Sequence, residues 1–221
     1  MIGILGGTFN PIHFGHLRPA LELVESLRLE HLHLIPCGMP PHREAPHVGA
    51  QQRLAMVETA AAGEPAFVVD DRELRRDGPS YSLDTVQSLR EEFPQQSIAL
   101  IIGADAFRGF DTWYEWRAIL DVAHVVVMQR PQLLANLAQA PSPVKTDHPL
   151  SNVLQEFVSA RLVDSVEALH AADHGCILNQ NVTQLDISST HIRNLIASGR
   201  SARYLMPDSV WQHIHEQGYY Q

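Results

Sequence analysis

MIGILGGTFNPIHFGH, the sequence of residues 1–16, carries the strongest structural signal in the chain. Residues 1–5 form a short apolar run, which predicts a buried first strand. The pair Gly6 and Gly7 predicts a turn where this strand ends. From about His16 onward apolar residues recur at helical spacing, so the turn is expected to lead into a helix. This order of strand, glycine turn and helix is typical of the first unit of an α/β fold.

The same alternation continues through the rest of the chain. Short apolar runs predict further strands, and longer segments with apolar residues three and four apart predict helices. The pattern predicts an α/β fold, a Rossmann-like doubly wound parallel sheet with flanking helices, whose ligands bind at the carboxyl ends of the strands. The further predicted strands are 31–36, 66–69, 97–102, 122–128 and one within 176–187, and the predicted helices are 16–27, 51–62, 82–93, 153–169, 188–198 and 207–217.

Length and composition set limits on the class of protein. The 221 residues, 45% of them apolar, fit a single domain over residues 1–221, with room for an insertion at about 132–175. No run approaches ~18 apolar residues, so no membrane-spanning helix is expected. The two cysteines are too few for a disulfide framework. The first residues lack the basic flank of a signal peptide, and both observations fit a cytoplasmic protein. A net charge of −9 argues against a broad nucleic-acid surface, although a few local donors can still bind phosphate.

The segment 6–16 has the features of a phosphate site. A glycine pair at a strand end lets a phosphate approach the backbone closely, and a helix N-terminus offers free N–H groups. His13 and His16 lie at this helix entry, where imidazole N–H groups can donate to phosphate oxygens. The segment lacks the Walker-type GxxxxGK pattern, so it is not a P-loop. Two alternatives stay open: the histidines cap the helix or fill a crevice, or they bind a metal together with a third ligand that is not evident nearby.

A second segment, residues 187–193 (ISSTHIR), places three hydroxyl groups at a predicted helix start and Arg193 one turn inside it. Hydroxyl and N–H groups there suit polyphosphate oxygens, and arginine adds a charge-assisted fork of hydrogen bonds. Residues 186–203 contain three arginines and one acid, which is a local excess of positive charge in an acidic chain. The alternative is an ordinary serine N-cap followed by a surface arginine.

Together, residues 6–16 and 187–193 resemble the bacterial nicotinate-nucleotide adenylyltransferases, a family of the HxGH nucleotidyltransferase superfamily. The two motifs stand near opposite ends of the chain, so the resemblance spans nearly all of it. Two positions depart from the usual family pattern, since Asn10 stands where aspartate is commoner and Ser82 where threonine is frequent. Further matches are PPHR at 40–43, SYSLDT at 80–85, IGAD at 102–105, WYEW at 113–116 and YLMP at 204–207.

The resemblance implies a nucleotidyltransferase-type fold and an enzyme that transfers the adenylyl group of ATP to nicotinate mononucleotide in NAD biosynthesis. The implied products are nicotinate adenine dinucleotide and pyrophosphate, formed by direct in-line attack without a covalent intermediate. Mg²⁺ is the implied cofactor, held mainly by the phosphates of ATP, and no protein ligand can be named for it.

The resemblance also implies which residues are catalytic, which bind ATP and which bind the acceptor. Trp113 would stack on the pyridine ring, and the alternative for it is an aromatic patch between surface and core. The implied catalytic residues are His13, His16 and Arg193; the implied ATP-binding residues are Gly6, Gly7, Thr8, Phe9, Gly15, Gly103, Asp105, Ile187, Ser188 and Ser189; the implied acceptor-binding residues are Thr85, Trp113, Tyr114, Arg43 and His42.

Other functions stay open at this point. Pantetheine-phosphate adenylyltransferases and cytidylyltransferases share the HxGH element, but they are usually shorter and lack the aromatic segment at Trp113. The acceptor could instead be nicotinamide mononucleotide, which has an amide in place of the carboxylate. A non-catalytic nucleotide-binding regulatory module is the alternative of a different class. A tRNA-charging enzyme is disfavoured because the chain is short and acidic, and the sequence leaves the oligomeric state open.

Overall fold

A computed structural model describes residues 1–39, 48–129 and 150–221. The strands of these residues are β1 (Ile2–Gly7), β2 (His31–Pro36), β3 (Phe67–Val69), β4 (Ile98–Gly103), β5 (His124–Gln129), β6 (Leu162–Val163) and β7 (Ile177–Asn181). They form one sheet in the order β3-β2-β1-β4-β5-β7-β6, and every neighbouring pair runs parallel. The predicted doubly wound parallel sheet is therefore confirmed.

Helices cover both faces of this sheet. They are α1 (Phe14–Ser26), α2 (Ala50–Ala61), α3 (Ser82–Glu92), α4 (Ala104–Phe107), α5 (Trp116–Ile119), α6 (Asn152–Ser159), α7 (Val166–His170), α8 (Ser189–Ala197) and α9 (Asp208–Gln217), with a 3-10 turn at Phe110–Thr112. Successive side chains of a strand point to opposite faces. Ile4 therefore packs in one apolar cluster with Val86 of α3, whereas Leu5 packs in another with Leu23 of α1. In the part of the chain that the structure describes, no helix has both the length and the hydropathy needed to cross a bilayer.

The sheet changes its direction of winding at β1. Strands β2 and β3 extend the sheet on one side of β1, and β4 then adds to the other side. β1 and β4 pair as far as Leu5 and Ile101. Beyond that point β1 continues to Gly7 beside β2, and β4 continues to Gly103 beside β5. The carboxyl ends of β1 and β4 thus separate into a crevice, which is where doubly wound sheets bind their ligands.

Two local predictions are wrong. Gly6 and Gly7 do not form a turn, because they continue β1 and pair with Ile35 and Pro36 of β2. The predicted single helix over 153–169 is instead α6, β6 and α7, because β6 pairs with β7. In that segment, pairing with a distant strand overrides the helical spacing of the local sequence.

Two further predictions concern the start of the first helix and the insertion. Helix α1 begins at Phe14, slightly earlier than the predicted start near His16. The single domain with an insertion at about 132–175 stays a prediction. Of that range, the described part begins at residue 150 and holds α6, α7 and β6, which is the last strand at one edge of the sheet.

His124, the first residue of β5, makes folding stability depend on pH. Its side chain is fully buried, its Nδ1 accepts from the Cys176 N–H at 3.2 Å, and its Nε2–H donates to the Ala172 carbonyl at 3.1 Å. Burial lowers the pKa of His124 from 6.5 to about 4. The neutral ring therefore contributes stability that is complete above the unfolded pKa and is lost as pH falls from about 6.5 toward 4.

We expect this group to lower the free energy of unfolding by up to about 2 kcal/mol between about pH 7.5 and about pH 5. Urea unfolding at the two pH values measures the change. His124→Gln, which does not titrate, should show a shallower dependence on pH than the parent protein. Equal slopes in the two proteins would contradict the assignment.

Candidate active site

His13 and His16 form a stacked pair at the entry to α1. His13 is the N-cap residue and is 4% exposed, and His16 lies in the first turn. Their ring centroids are 3.8 Å apart with an interplanar angle of 30°. The Nδ1 atom of each ring is buried and has no hydrogen-bond partner among the described residues. Because buried polar atoms are normally paired, two such atoms at one helix N-terminus make the entry to α1 the candidate site.

Burial keeps both rings neutral near pH 7. Desolvation lowers the pKa of His13 to about 3, with a smaller contribution from the neighbouring His16. Desolvation also lowers the pKa of His16 to about 4. Two neutral rings can stack closely without charge repulsion, and each still offers one N–H donor. A bound anion would raise both pKa values, because an opposite charge favours the protonated form.

The second motif contacts the loop that precedes these histidines. The Ser189 hydroxyl donates to the Pro11 carbonyl at 2.9 Å. Arg193 Nη1 donates to the Asn10 carbonyl at 2.8 Å, and its Nη2 donates to Thr190 Oγ1 at 3.2 Å. The structure therefore brings the start of α8 and the entry to α1 onto one loop, although they are far apart in sequence.

Gly15 and Ser188 contribute to this junction in different ways. A Cβ on Gly15 would lie 2.9 Å from His13 Nδ1 and 3.1 Å from the Ile187 carbonyl. Only glycine therefore lets the entry to α1 approach the segment before α8 so closely. The Ser188 hydroxyl accepts from the His191 N–H at 3.2 Å, so the ordinary N-cap interpretation describes its side chain.

Several other predicted ATP-side residues lie at or near the separated ends of β1 and β4. A Cβ on Gly6 or on Gly103 would meet no atom of the described residues within 4 Å, so those residues leave open space beside both glycines. Gly7 instead lies under Phe9, whose ring contacts His16 edge-on at 5.2 Å. Asp105, in α4, is exposed and pairs with Arg108 at 2.6 Å.

Tyr220 gives the same loop a further support. Its hydroxyl donates to Asn10 Oδ1 at 2.6 Å. Burial raises the pKa of the Tyr220 hydroxyl, so it stays a proton donor. Together with Ser189 and Arg193, Tyr220 holds the loop from the C-terminal part of the chain.

Thr85, predicted on the acceptor side, is buried at the start of α3. Its hydroxyl donates to Glu73 Oε1 at 2.7 Å and accepts from Arg76 Nη2 at 2.5 Å. The hydroxyl is therefore engaged within the protein, and it ties α3 to the segment that follows β3.

Two aromatic residues of the acceptor side lie between the 3-10 turn and α5. The half-buried Trp113 ring packs edge-on against Phe110 at 5.3 Å. Tyr114 is 49% exposed and stacks on Tyr81 at 4.6 Å. Since Tyr81 caps α3, this stack connects the aromatic segment with the helix that holds Thr85. The remaining predicted residues, His42 and Arg43, lie outside the described residues.

The chain resembles known proteins over nearly its whole length. The family model described as cytidylyltransferase-like matches residues 4–195. A relative from Halorhodospira halophila is 46% identical over 219 residues, which cover 99% of this chain and 94% of the relative. A relative from Pseudomonas syringae pv. tomato is 46% identical over 220 residues, which cover 99% and 93%. Both relatives are named probable nicotinate-nucleotide adenylyltransferase.

The chain belongs to the nicotinate-nucleotide adenylyltransferase family. The resemblance drawn from the two motifs is thereby confirmed. Two solved structures of the Plasmodium falciparum nicotinic acid mononucleotide adenylyltransferase, complexed with APC and with NaAD, match this chain with TM-scores of 0.68 and 0.69. Each match covers 99% of this chain and 96% of the solved chain at 12% identity, a level at which the likeness concerns the fold alone. The nucleotidyltransferase-type fold is confirmed.

Sequence reasoning missed Arg53 in this member of the adenylyltransferase family. Arg53 is 1% exposed in α2, and its guanidinium donates to the carbonyls of Thr8 at 2.7 Å, Cys37 at 2.6 Å and Gly38 at 3.3 Å. A signal for it exists: Arg53 lies four residues before Val57, on the buried face of its helix. An arginine on an apolar helix face indicates acceptors buried beneath it.

Proposed function

We propose that this chain transfers the adenylyl group of ATP to nicotinate mononucleotide, yielding nicotinate adenine dinucleotide and pyrophosphate in NAD biosynthesis. Family membership over the whole chain supports the activity. The observation that carries the proposal is the shared loop at Asn10 and Pro11. Arg193 and Ser189 bind this loop from α8. The rings of His13 and His16, whose Nδ1 atoms have no partner among the described residues, follow it directly.

The reaction we propose is a single displacement. A phosphate oxygen of the acceptor attacks the α-phosphorus of ATP in line, the bond to the bridging oxygen breaks, and pyrophosphate leaves with its electron pair. Such transfers need alignment and charge stabilisation rather than a protein nucleophile. His16 donates to the α-phosphate as negative charge builds there. His13, stacked on His16, holds the same phosphates and fixes the orientation of the neighbouring ring.

The leaving group is bound, in this proposal, at the start of α8. The guanidinium of Arg193, which keeps N–H groups beyond those that bind Asn10 and Thr190, contacts the β- and γ-phosphates. The backbone N–H groups at the start of the helix, where Ser189 lies, add further donors. Open space above Gly6 and Gly103 supports a nucleotide that crosses the crevice between β1 and β4. The other residues proposed for the ATP side are Gly7, Thr8, Phe9, Gly15, Asp105, Ile187 and Ser188.

On the acceptor side, Trp113 stacks on the pyridine ring and Tyr114 flanks it, with Arg43 and His42 proposed for the acceptor phosphate. The engaged hydroxyl of Thr85 supports a refined role for that residue. Thr85 acts on the nicotinate end by fixing the start of α3, whose first N–H groups suit a carboxylate.

Mg²⁺ is the proposed cofactor. The donors around the crevice are imidazoles and a guanidinium, which suit phosphate oxygens. Within residues 1–39, 48–129 and 150–221, no group of three or more His, Cys, Asp or Glu side chains is arranged to hold a metal. An ion bound mainly through triphosphate oxygens and water fits these surroundings, and it would neutralise part of the triphosphate charge.

We also propose a cytoplasmic location for the enzyme.

The direct test is pyrophosphate release from ATP and Mg²⁺ with nicotinate mononucleotide and nicotinamide mononucleotide assayed side by side. We expect pyrophosphate release with either mononucleotide as the acceptor and a higher kcat/KM for nicotinate mononucleotide. Turnover only with nicotinamide mononucleotide would show that this nucleotide is the acceptor instead. A protein that binds ATP but turns over neither acceptor would support a regulatory module instead.

Trp113→Ala is expected to raise the KM for the acceptor by about tenfold or more, while the KM for ATP changes little. The reason is loss of ring stacking, which is worth about 0.5–1.5 kcal/mol beyond the apolar area that the ring buries. Steady-state kinetics with each substrate varied in turn measures the effect. Trp211→Ala, in α9, is the matched control. An effect confined to ATP would contradict the stacking role.

A further inference from the structure

Arg53 joins two loops that follow neighbouring strands. One is the ATP loop, residues 8–13, which follows β1 and whose Thr8 carbonyl accepts from Arg53. The other is the acceptor loop, residues 37–39, from which it binds the carbonyls of Cys37 and Gly38. A buried guanidinium remains charged, so these are charge-assisted bonds, stronger than those between neutral groups.

The two loops lead to different halves of the proposed site. Thr8 directly precedes Phe9, whose ring contacts His16. The N–H of Gly38 donates to the Ser80 hydroxyl at 3.1 Å, and a Cβ on Gly38 would lie 2.5 Å from the Glu73 carbonyl. Because Glu73 accepts from the Thr85 hydroxyl, the acceptor loop is packed against the elements that we assign to nicotinate mononucleotide.

The separation of the two loops matters for the chemistry. In-line transfer needs the attacking oxygen within roughly 3–3.5 Å of the phosphorus, and a 1 Å misplacement can cost about 10²-fold in rate. Arginine suits this task because its planar fork fixes several acceptors at set angles, whereas lysine offers one compact charge.

We propose that Arg53 is a positioning residue that sets the separation of the ATP loop from the acceptor loop and so aligns the two substrates. The inference rests on the proposed function, because it assigns one substrate to each loop. Arg53 acts through the backbone carbonyls and contacts neither substrate.

Arg53→Lys and Arg53→Met test the proposal. Lysine keeps the charge and loses the fork, while methionine loses both. We expect both variants to raise the KM for ATP and for the acceptor by about tenfold or more and to lower kcat by about 10- to 100-fold. Rates are corrected for the folded fraction, which thermal unfolding measures. Lysine should rescue little of the kinetic loss, since the geometry rather than the charge is at stake.

Arg90 offers a matched control near the amino ends of β4 and β5, away from the proposed site. Its guanidinium also binds backbone carbonyls, those of Val122 and Gln96. Arg90→Lys and Arg90→Met should lower the unfolding temperature and leave both KM values unchanged. If Arg53→Lys keeps native KM and kcat values, or alters the KM for one substrate alone, the proposal is wrong.

Hydrogen exchange separates this proposal from the proposed function. In Arg53→Lys we expect faster amide exchange in peptides covering residues 8–13 and 37–39, with ATP affinity weakened by about tenfold, whichever acceptor the enzyme uses. Unchanged exchange in these two loops would overturn the role of Arg53 even if turnover falls. Absence of turnover by the parent protein with nicotinate mononucleotide would instead overturn the proposed function.

Discussion

His16→Ala is expected to lower kcat by at least about 10²-fold, the loss typical of a removed transition-state donor. In the proposed reaction the His16 N–H meets the charge that develops on the α-phosphate, and alanine leaves that charge without a donor. The KM for ATP should change much less, because the groups at the start of α8 still bind the β- and γ-phosphates. Steady-state kinetics of pyrophosphate release measures both values.

The fold should tolerate this substitution. His16 lies in the first turn of α1, where alanine is a good helix former, and its buried Nδ1 has no partner in the described residues to lose. His31→Ala is the control, since His31 is an exposed residue at the start of β2. The control should keep native turnover. An unchanged kcat in His16→Ala would remove this residue from the catalytic group.

Gly6→Val is expected to raise the KM for ATP by about 100-fold or more while the protein remains folded. Valine is a good strand former, and a Cβ at Gly6 would meet no atom within 4 Å in the part of the chain that the structure describes. The new methyl groups would instead fill the crevice between the ends of β1 and β4, where we place the nucleotide. A side chain that occupies the nucleotide's place weakens the binding of ATP in the ground state and in the transition state alike. The ATP affinity measured by calorimetry should therefore fall as the KM for ATP rises.

Gly3→Val, in the same strand, should have the opposite phenotype. A Cβ on Gly3 would lie 2.6 Å from a methyl carbon of Leu29 and 2.7 Å from one of Leu32. Crowding in a packed core costs about 1–3 kcal/mol, so the unfolding temperature should fall while the KM for ATP of the folded protein stays native. A native ATP affinity in Gly6→Val would show that the nucleotide does not use the crevice.

Much of the fold follows from local patterns in the sequence. Parallel strands buried on both faces read as apolar runs, so β1, β2 and β4 could be predicted within a few residues of their bounds. β6 could not, because Leu162–Val163 is very short and becomes a strand only by pairing with β7. A pairing of this kind depends on segments that no local window contains.

The candidate site divides in the same way. The stacked histidines and Arg193 belong to motifs with a recognisable spacing, so their types and positions point to phosphate binding. The partners of Thr85 and Arg53 are backbone carbonyls and side chains set by tertiary packing. For that reason the resemblance assigns Thr85 to the acceptor side, but only the structure reveals that its hydroxyl is engaged by Glu73 and Arg76.

The supports of the loop at Asn10 and Pro11 have a consequence for folding. Ser189, Arg193 and Tyr220 reach this loop across sequence separations of 178, 183 and 210 residues. Contacts between residues so far apart in sequence form late, because the entropy cost of closing a long loop must be met first. During synthesis on the ribosome, β1 and α1 can pack early. We expect the loop between them to reach its final conformation only after Ser189, Arg193 and Tyr220 have left the ribosome. We therefore expect the protein to acquire ATP affinity as one of its last folding events, so that incomplete chains do not sequester the nucleotide.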